Sequence, residues 1–264
     1  MARDTDLLHA GGRPGDWGNL GLWDADTPDY FGACQALASA GAHAAGTARG
    51  DCVLAVACGA GEELRLLLQD FGAGEVVGVE ADTASAQRAR GRAPAARVLE
   101  GSGVALQELR LPEHHFDRVL CVDAAYHLQP RRAFLQAAQR LLKPGGTLAY
   151  TDLTAERAHP LLRGAARLCG LHADALLPAV AQQQRLLALG FTDIRLERLD
   201  EAVLGGFMRF VKRRQLPRWR WPRVATTAAL IGPCRAAGLG YAMWSATASA
   251  ERTALSSSGT PGIA

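Results

Sequence analysis

The amino-acid sequence predicts an α/β protein with a doubly wound, mostly parallel sheet. Between Asp51 and Asp152, short apolar runs bounded by turn residues alternate with longer segments of helical periodicity. This alternation is typical of successive βαβ units. The apolar runs are nearly continuous, as expected for strands that are covered on both faces. The length of 264 residues is compatible with one such domain and its appendages.

The strands and helices of this core follow in order along the chain. Five strands are predicted, at Cys52–Ala57, Glu75–Glu80, Arg97–Glu100, Arg118–Val122 and Thr147–Thr151. Helices are predicted between them at Glu62–Asp70, Ala84–Arg92 and Arg131–Leu142. Pro144, Gly145 and Gly146 form a strong stop signal after the last of these helices.

The remaining segments surround this core. Residues 1–50 predict an N-terminal arm with one helix over Tyr30–Ala48, and residues 153–190 and 201–237 predict helical lids. Further strands are predicted at Phe191–Leu199 and Leu239–Thr247. We therefore interpret residues 1–248 as one domain and predict that the polar tail 249–264 is disordered.

Composition excludes several classes of protein. The net charge of +3 is too small to predict nucleic-acid binding, and the six cysteines show no CxxC spacing. The start of the chain lacks the pattern of a secretory leader, and the longest apolar run, 224–240, is interrupted by Pro233 and Arg235. We expect a reduced, cytoplasmic protein that does not span a membrane.

A glycine turn is the sharpest motif. The strand at residues 53–57 runs into Cys58, Gly59 and Gly61 and then into a helix. Such a turn lets a ligand approach the backbone closely, and the helix N-terminus favours an anionic group. Leu64 stands where the dinucleotide fingerprint needs a third glycine, which disfavours an NAD(P)-dependent oxidoreductase as the alternative. Glu80, about twenty residues further on, is placed to bind a ribose.

With these pieces in place, the sequence resembles the class I S-adenosylmethionine-dependent methyltransferases. The resemblance covers about Asn19–Thr247 and rests on four blocks in order: VLAVACGAGE, VVGVEAD, FDRVLCVDAAYHL and LLKPGGTLAYTDL. The arm sequence from Asn19 to Trp23 is similar to the N-x-G-x-W element of the branch that methylates natural-product sugars and related small molecules. The resemblance implies a Rossmann-like, seven-stranded sheet with an antiparallel last strand and helical lid insertions.

The family's cofactor, S-adenosylmethionine, implies roles for individual residues. Its methionine part would contact the glycine turn, its ribose and adenine the following strand ends, and its amino group the end of the fourth strand. The residues so assigned are Ala57, Cys58, Gly59, Gly61, Glu80, Ala81, Ser102, Gly103 and Asp123, with Trp23 beside the sulfonium.

Three positions depart from the family pattern. An acidic residue is usual where this chain has Ala55, a glycine where it has Ala57, and an aspartate where it has Ser102. Two carboxylates that could hydrogen-bond the cofactor are therefore missing, each worth roughly 1.5–3 kcal/mol. A non-catalytic or weakly binding methyltransferase-like protein is accordingly the second alternative.

The expected reaction is methyl transfer to a small molecule, most readily at oxygen. His127 and Asp152 follow the fourth and fifth strands, whose ends lie side by side in this family. We expect His127 to act as the general base and Asp152 to orient it or to bind the acceptor. The simpler alternative is that His127 only fills a helix start. Trp17, Asn19 and Tyr126 are expected to line the acceptor pocket.

Two further clusters are candidates for binding. His114 and His115 are adjacent, but neighbouring positions rarely converge on one ion and no cluster of cysteines or carboxylates with ligand spacing accompanies them, so we expect no metal. The basic and aromatic run Lys212–Arg223 is a candidate for weak peripheral contact with an anionic membrane, and a solvated helix and loop is the alternative. The sequence does not indicate an oligomeric state.

Overall fold

The computed structural model describes residues 8–172, 176–214 and 222–249, without the side chains of residues 222 and 223. These residues form a seven-stranded sheet in the order β3-β2-β1-β4-β5-β7-β6. Strands β1 to β5 are parallel, and β7 runs antiparallel to both of its neighbours. The predicted fold is thus confirmed. The strands are β1 Cys52–Val56, β2 Glu75–Glu80, β3 Arg97–Glu100, β4 Phe116–Cys121, β5 Leu142–Ala155, β6 Phe191–Arg198 and β7 Leu239–Ala248.

Helices cover both faces of the sheet. They are α1 Tyr30–Ala44, α2 Glu62–Gln69, α3 Thr83–Arg92, α4 Arg131–Leu141, α5 Pro160–Leu168, α6 Ala179–Ala188, α7 Gly206–Arg213 and α8 Pro222–Ala236. Short 3₁₀ turns occur at Leu106–Leu109 and Ala125–His127, and a π-helical segment at Asp200–Gly205 leads into α7. The lid helices stand where the sequence placed them, after β5 and after β6.

The core explains the apolar runs. Val53 and Ala55 of β1 pack with Leu64 of α2 on one face, whereas Leu54 and Val56 belong to the cluster on the other. All four β1 residues are fully buried, because successive side chains of a strand point to opposite faces and both faces are covered. Burying each Leu or Val side chain contributes roughly 1.5–3 kcal/mol.

Strand β5 is longer than predicted. The sequence suggested Thr147–Thr151, but β7 pairs with β5 from Thr147 to Ala155 and extends it past Asp152. Its beginning also differs, since Pro144 and the two glycines after it lie inside β5. The stop signal therefore ends α4, but the chain continues directly into β5 without a loop.

Several sequence predictions concern segments near the ends of the described ranges. Residues 250–264 of the predicted tail and residues 215–221 of the basic run lie outside the described residues. Within the run, the Arg214 guanidinium donates to the Leu8 carbonyl at 2.7 Å and lies 4.9 Å from the Phe210 ring, so it holds the arm against α7. Among the described helices, none is both long and apolar enough to cross a bilayer.

Candidate active site

Two cavities meet at the carboxyl ends of β1 and β4. The first, of about 180 Å³, is lined by residues 16–19 of the arm, 57–60 of the glycine turn, 62–63 of α2 and 122–124 after β4. The second, of about 280 Å³, lies between the arm, β5 and the lids. Gly18 and Asp123 line both cavities. A ligand in one cavity would therefore approach a ligand in the other at these two residues.

The glycine turn shapes the first cavity. Gly59 has a φ of +56°, and a Cβ built on it would meet nothing within 4 Å, so the space above it is open for a ligand. Ala57 adopts a φ of +59° without being glycine, a conformation that costs about 1–2 kcal/mol. Gly61 serves packing, because a Cβ there would lie 2.7 Å from the Ala89 Cα atom of α3. Only the first part of the turn faces the cavity.

The residues expected to bind ribose and adenine line neither cavity and lie at the ends of β2 and β3. The Glu80 carboxylate accepts from the Gly59 N–H at 2.8 Å and from the Asp82 N–H at 2.9 Å. Each oxygen retains a lone pair, so the carboxylate can still accept ribose hydroxyls. Ala81 is exposed, Ser102 is half-buried, and Gly103 is buried between Val56 and Leu128. Ser102 supplies only a hydroxyl where a carboxylate is usual.

Asp123 joins β4 to the arm. Its carboxylate accepts from the Leu20 N–H at 2.6 Å and from the hydroxyls of Tyr126 and Tyr241 at 2.8 and 2.7 Å. Burial raises the pKa of Asp123 to about 6, although these three donors act to lower it. The resemblance implies a role for Asp123 at the cofactor's amino group; in the structure its oxygens hold the arm over both cavities. Tyr241, on β7, was not foreseen.

The polar side chains of the second cavity lie mainly at one end, and most of the remaining lining is apolar. Asp123, Tyr126 and His127 lie at the end near β4, and Thr227 of α8 is the other polar side chain of the lining. The rest is dominated by aliphatic and cysteine side chains from the lids, including Leu153, Leu162, Ala166, Cys169, Leu204, Leu230, Ile231 and Cys234. Within the described part of the chain, no Lys or Arg lines either cavity.

His127 ends the 3₁₀ turn after β4 and lines the second cavity with Tyr126, as expected. The two rings are 4.6 Å apart, and the His127 side chain lies at an exposed rim. Partial desolvation and the nearby Arg131 charge lower the pKa of His127 below its usual 6.5. The imidazole is therefore neutral at pH 7 and able to accept a proton.

Asp152 is not placed as expected, and its predicted partnership with His127 is wrong. Asp152 lies within β5, is 2% exposed and forms an ion pair with Arg131. Gln182 of α6 also donates to its carboxylate at 3.2 Å. The neighbouring Thr151 faces the other side of the sheet and bonds to Tyr241. The alternation of side chains along a strand thus turns Asp152 away from the second cavity.

Three arm residues also differ from their assignments. Trp17 and Asn19 line the first cavity and not the second. The Asn19 amide donates to the Cys34 carbonyl at 3.1 Å and accepts from the Gly21 N–H at 2.9 Å. Trp23 lines neither cavity, because its indole stacks 4.6 Å from the Phe210 ring of α7 and donates to the Leu20 carbonyl. The N-x-G-x-W element therefore shapes and locks the arm.

A carboxylate that the sequence did not single out lies in the first cavity. Glu63, in the first turn of α2, is 6% exposed, and its Oε1 atom has no hydrogen-bond partner. Acidic residues are common in the first turn of a helix, where they complement its dipole, so nothing in the local pattern distinguishes Glu63. The missing acid at Ala55 was the one signal that could have prompted a search for a replacement nearby.

The histidine pair has one neighbour set that the sequence did not reveal. The His115 Nε2 atom lies 2.9 Å from Glu75 Oε2, and with Cys52 Sγ the three atoms lie within 4.8 Å of one another. They lie at the amino-terminal ends of β1, β2 and β4, whereas the cavities lie at the carboxyl ends of the strands. A cysteine and a carboxylate therefore do accompany His115, and the absence of a metal stays a prediction.

Comparisons of the sequence and of the fold with known proteins both find methyltransferases. Residues 54–150 match the family model described as a methyltransferase domain. The chain is 29% identical over 212 residues to the erythromycin 3''-O-methyltransferase of Saccharopolyspora erythraea, covering 74% of this chain and 68% of that protein. The [4+2]-cyclase SpnF superposes with a TM-score of 0.72 at 22% identity, covering 93% of each chain. A geranyl diphosphate methyltransferase in complex with SAM superposes with a TM-score of 0.70 at 13% identity, covering 83% of this chain and 87% of that one.

Proposed function

We propose that this chain, which matches a methyltransferase-domain model and resembles a small-molecule O-methyltransferase, uses S-adenosylmethionine to methylate a hydroxyl oxygen of a largely apolar acceptor. The observation that carries this proposal is the second cavity, which shares Gly18 and Asp123 with the first among the described residues. Its polar groups concentrate near that junction, and its depth is apolar.

The lining indicates the class of acceptor. An apolar body would bury its surface against Leu162, Leu230 and Ile231, while a hydroxyl group would reach the polar end near His127. A phosphorylated acceptor is disfavoured, because no Lys or Arg lines the described cavity to neutralise its charge. A cavity of about 280 Å³ suits a small acceptor, or the reacting part of a larger one.

The chain's own residues supply position and a proton acceptor. When bound, the cofactor supplies an electrophilic methyl group. The walls of the second cavity hold the acceptor oxygen towards Gly18 and Asp123, and such alignment can contribute up to ~7–11 kcal/mol to catalysis. His127 takes the hydroxyl proton at a ring nitrogen, since its lowered pKa keeps it neutral. The aromatic face of Tyr126 completes the polar end.

Relatives support this proposal to different extents. The erythromycin 3''-O-methyltransferase is named for methylation at oxygen. The fold alone is less decisive, because the similarly folded SpnF is a cyclase. Transfer to oxygen is therefore supported by His127 in the lining of the second cavity and by the name of the erythromycin 3''-O-methyltransferase.

Turnover assays with a cofactor-bound enzyme test the proposal. S-adenosylmethionine is offered with a panel of hydroxylated apolar compounds, matched amines and phosphorylated analogues, and products are identified by mass spectrometry. We expect a gain of one methyl group on the apolar alcohols. His127→Ala should lower turnover about 10²–10⁴-fold, whereas His43→Ala, on the exposed side of α1, should not. Wild-type turnover should fall as the pH drops through a value below 6.5, where His127 gains a proton.

Two results would contradict the proposal. Methylation confined to amines would reassign the acceptor atom. Unchanged turnover in His127→Ala, with cofactor still bound, would remove His127 as the base. If the cofactor binds and no compound of the panel is methylated, the non-catalytic alternative is favoured.

A further inference from the structure

The first cavity contains two buried polar atoms that lack partners. Glu63 is 6% exposed and Trp17 is 5% exposed, and both line this cavity. Glu63 Oε1 accepts no hydrogen bond, and the Trp17 Nε1–H donates none. Buried polar groups are nearly always hydrogen-bonded, so each exception needs an explanation. One atom is an acceptor on an acidic group and the other is a neutral donor.

The adjacent acidic residue shows that Glu63 is unusual. Glu62 accepts from the Asp16 N–H at 3.1 Å and forms ion pairs with Arg65 and Arg92 at 3.4 Å. Glu62 is therefore fully engaged. Glu63 is the next residue of α2. Within the described part of the chain no cation pairs with its carboxyl group, so the free-energy cost of burying that group is not offset.

The other groups that face the cavity do not take the place of Glu63 as an acceptor. The oxygens of Asp123 are occupied by the Leu20 N–H and by two tyrosine hydroxyls, and burial raises the pKa of the Cys58 thiol, which stays protonated. Ala55, where the family usually has an acid, is fully buried beside Leu64 and offers no acceptor. Among the described residues of this lining, Glu63 is thus the buried carboxylate with an oxygen that accepts no hydrogen bond.

We propose that Glu63 binds the α-ammonium group of the cofactor and that the Trp17 indole N–H binds its α-carboxylate. A zwitterionic amino-acid end carries a cation and an anion on neighbouring atoms, which matches an unpaired carboxylate and an unpaired donor in one cavity. Glu63 then replaces the acid that is missing at Ala55. The inference concerns the cofactor and stands independently of the acceptor atom.

A proton accompanies this binding. Burial raises the pKa of Glu63 to about 8, so the carboxyl group carries a proton at neutral pH when no ligand is bound. An ammonium group beside Glu63 favours its ionised form, and the proton is released. The titratable groups nearest to it are Cys58, Cys121 and Asp123, together with Glu62 and Asp16 in the lining.

Calorimetry of the full chain tests the proposal without turnover. S-adenosylhomocysteine is titrated at pH 6.5–7 in buffers of different ionisation enthalpy, and 5′-methylthioadenosine, which lacks the amino-acid end, is the matched probe. We expect the wild-type protein to release close to one proton per S-adenosylhomocysteine and close to none per 5′-methylthioadenosine. Glu63→Gln should abolish that release and weaken S-adenosylhomocysteine about ten- to hundredfold. Trp17→Phe should weaken it about tenfold and keep the proton release.

The matched probe separates a binding role from a structural one. Both variants should bind 5′-methylthioadenosine as the wild-type protein does. The proposal is overturned if Glu63→Gln leaves the affinity for S-adenosylhomocysteine unchanged, or weakens both ligands equally. Glu108→Gln, at an exposed glutamate of the 3₁₀ turn Leu106–Leu109, is the control for charge removal. Failure of methyl transfer to oxygen would leave all of these readings intact.

Discussion

The two cavities are assembled in different ways. The wall of the first takes its largest share from one continuous segment, the glycine turn and the start of α2, and the arm, α1 and the residues after β4 complete it. The second draws on the arm, the turn after β4, β5, both lids and β7. A site made from one segment follows from local sequence, whereas a site made from many depends on how distant segments pack. The same molecule thus has a first cavity shaped largely by a local motif and a second cavity that depends on the packing of distant segments.

The largest expected effect concerns Asp152, for which the sequence predicts a role at the acceptor, although its side chain faces away from the second cavity. Asp152→Ala leaves Arg131 buried without its ion-pair partner, so we expect the free energy of unfolding to fall by about 3–5 kcal/mol. Urea unfolding measures this change. Replacing both partners together, Arg131→Met with Asp152→Leu, should recover most of the loss. If Asp152→Ala kept full stability and lost only turnover, Asp152 would belong to the acceptor site.

A second prediction contrasts stability with binding on the cofactor side. The folded-state pKa of Glu63, about 8, lies above its ordinary value of 4.5, so its contribution to stability is fully present below pH 4.5 and is lost as the pH rises through 8. Between pH 5 and 8, wild-type stability should therefore fall relative to Glu63→Gln by on the order of 3 kcal/mol. Thermal or urea unfolding across this range measures the difference, which saturating S-adenosylhomocysteine should reduce. Parallel pH curves for the two proteins would contradict the prediction.

The smallest expected effect distinguishes the two glycines of the turn. Gly59→Ala should cost about 1–2 kcal/mol of stability through its positive φ and should weaken S-adenosylhomocysteine binding, because its methyl group enters open space above the turn. Gly61→Ala should be more destabilising, since strain is joined by a clash with the Ala89 backbone. Unfolding and calorimetric titration measure both variants. Equal effects on stability would show that α2 and α3 can separate at little cost.

The division between the cavities also explains what the sequence predicted well. The bounds of β1, β2, β3, α2 and α3 fall within one residue of expectation, because each is a short run with its own turn signals. The positions of Ala57, Cys58 and Gly59 beside the first cavity follow from the same local motif. No distant partner is needed to place them.

The remaining misplacements have one cause. The length of β5, and with it the facing of Asp152, depends on pairing with β7 about ninety residues later. Trp23 was assigned to the cofactor, but its ring packs on Phe210 of a lid helix. Glu63 has no ion-pair partner in the described chain, because the nearby guanidinium groups of Arg65 and Arg92 pair with Glu62. Contacts between distant segments decide each of these outcomes.

Gly18 forms part of the wall of both cavities. Any side chain introduced there would narrow both cavities together, so this position offers no independent control over what either cavity accepts. Directed evolution towards new ligands of the second cavity should leave the arm intact and diversify Leu162, Leu230 and Ile231 on the lid helices, which line that cavity and not the first.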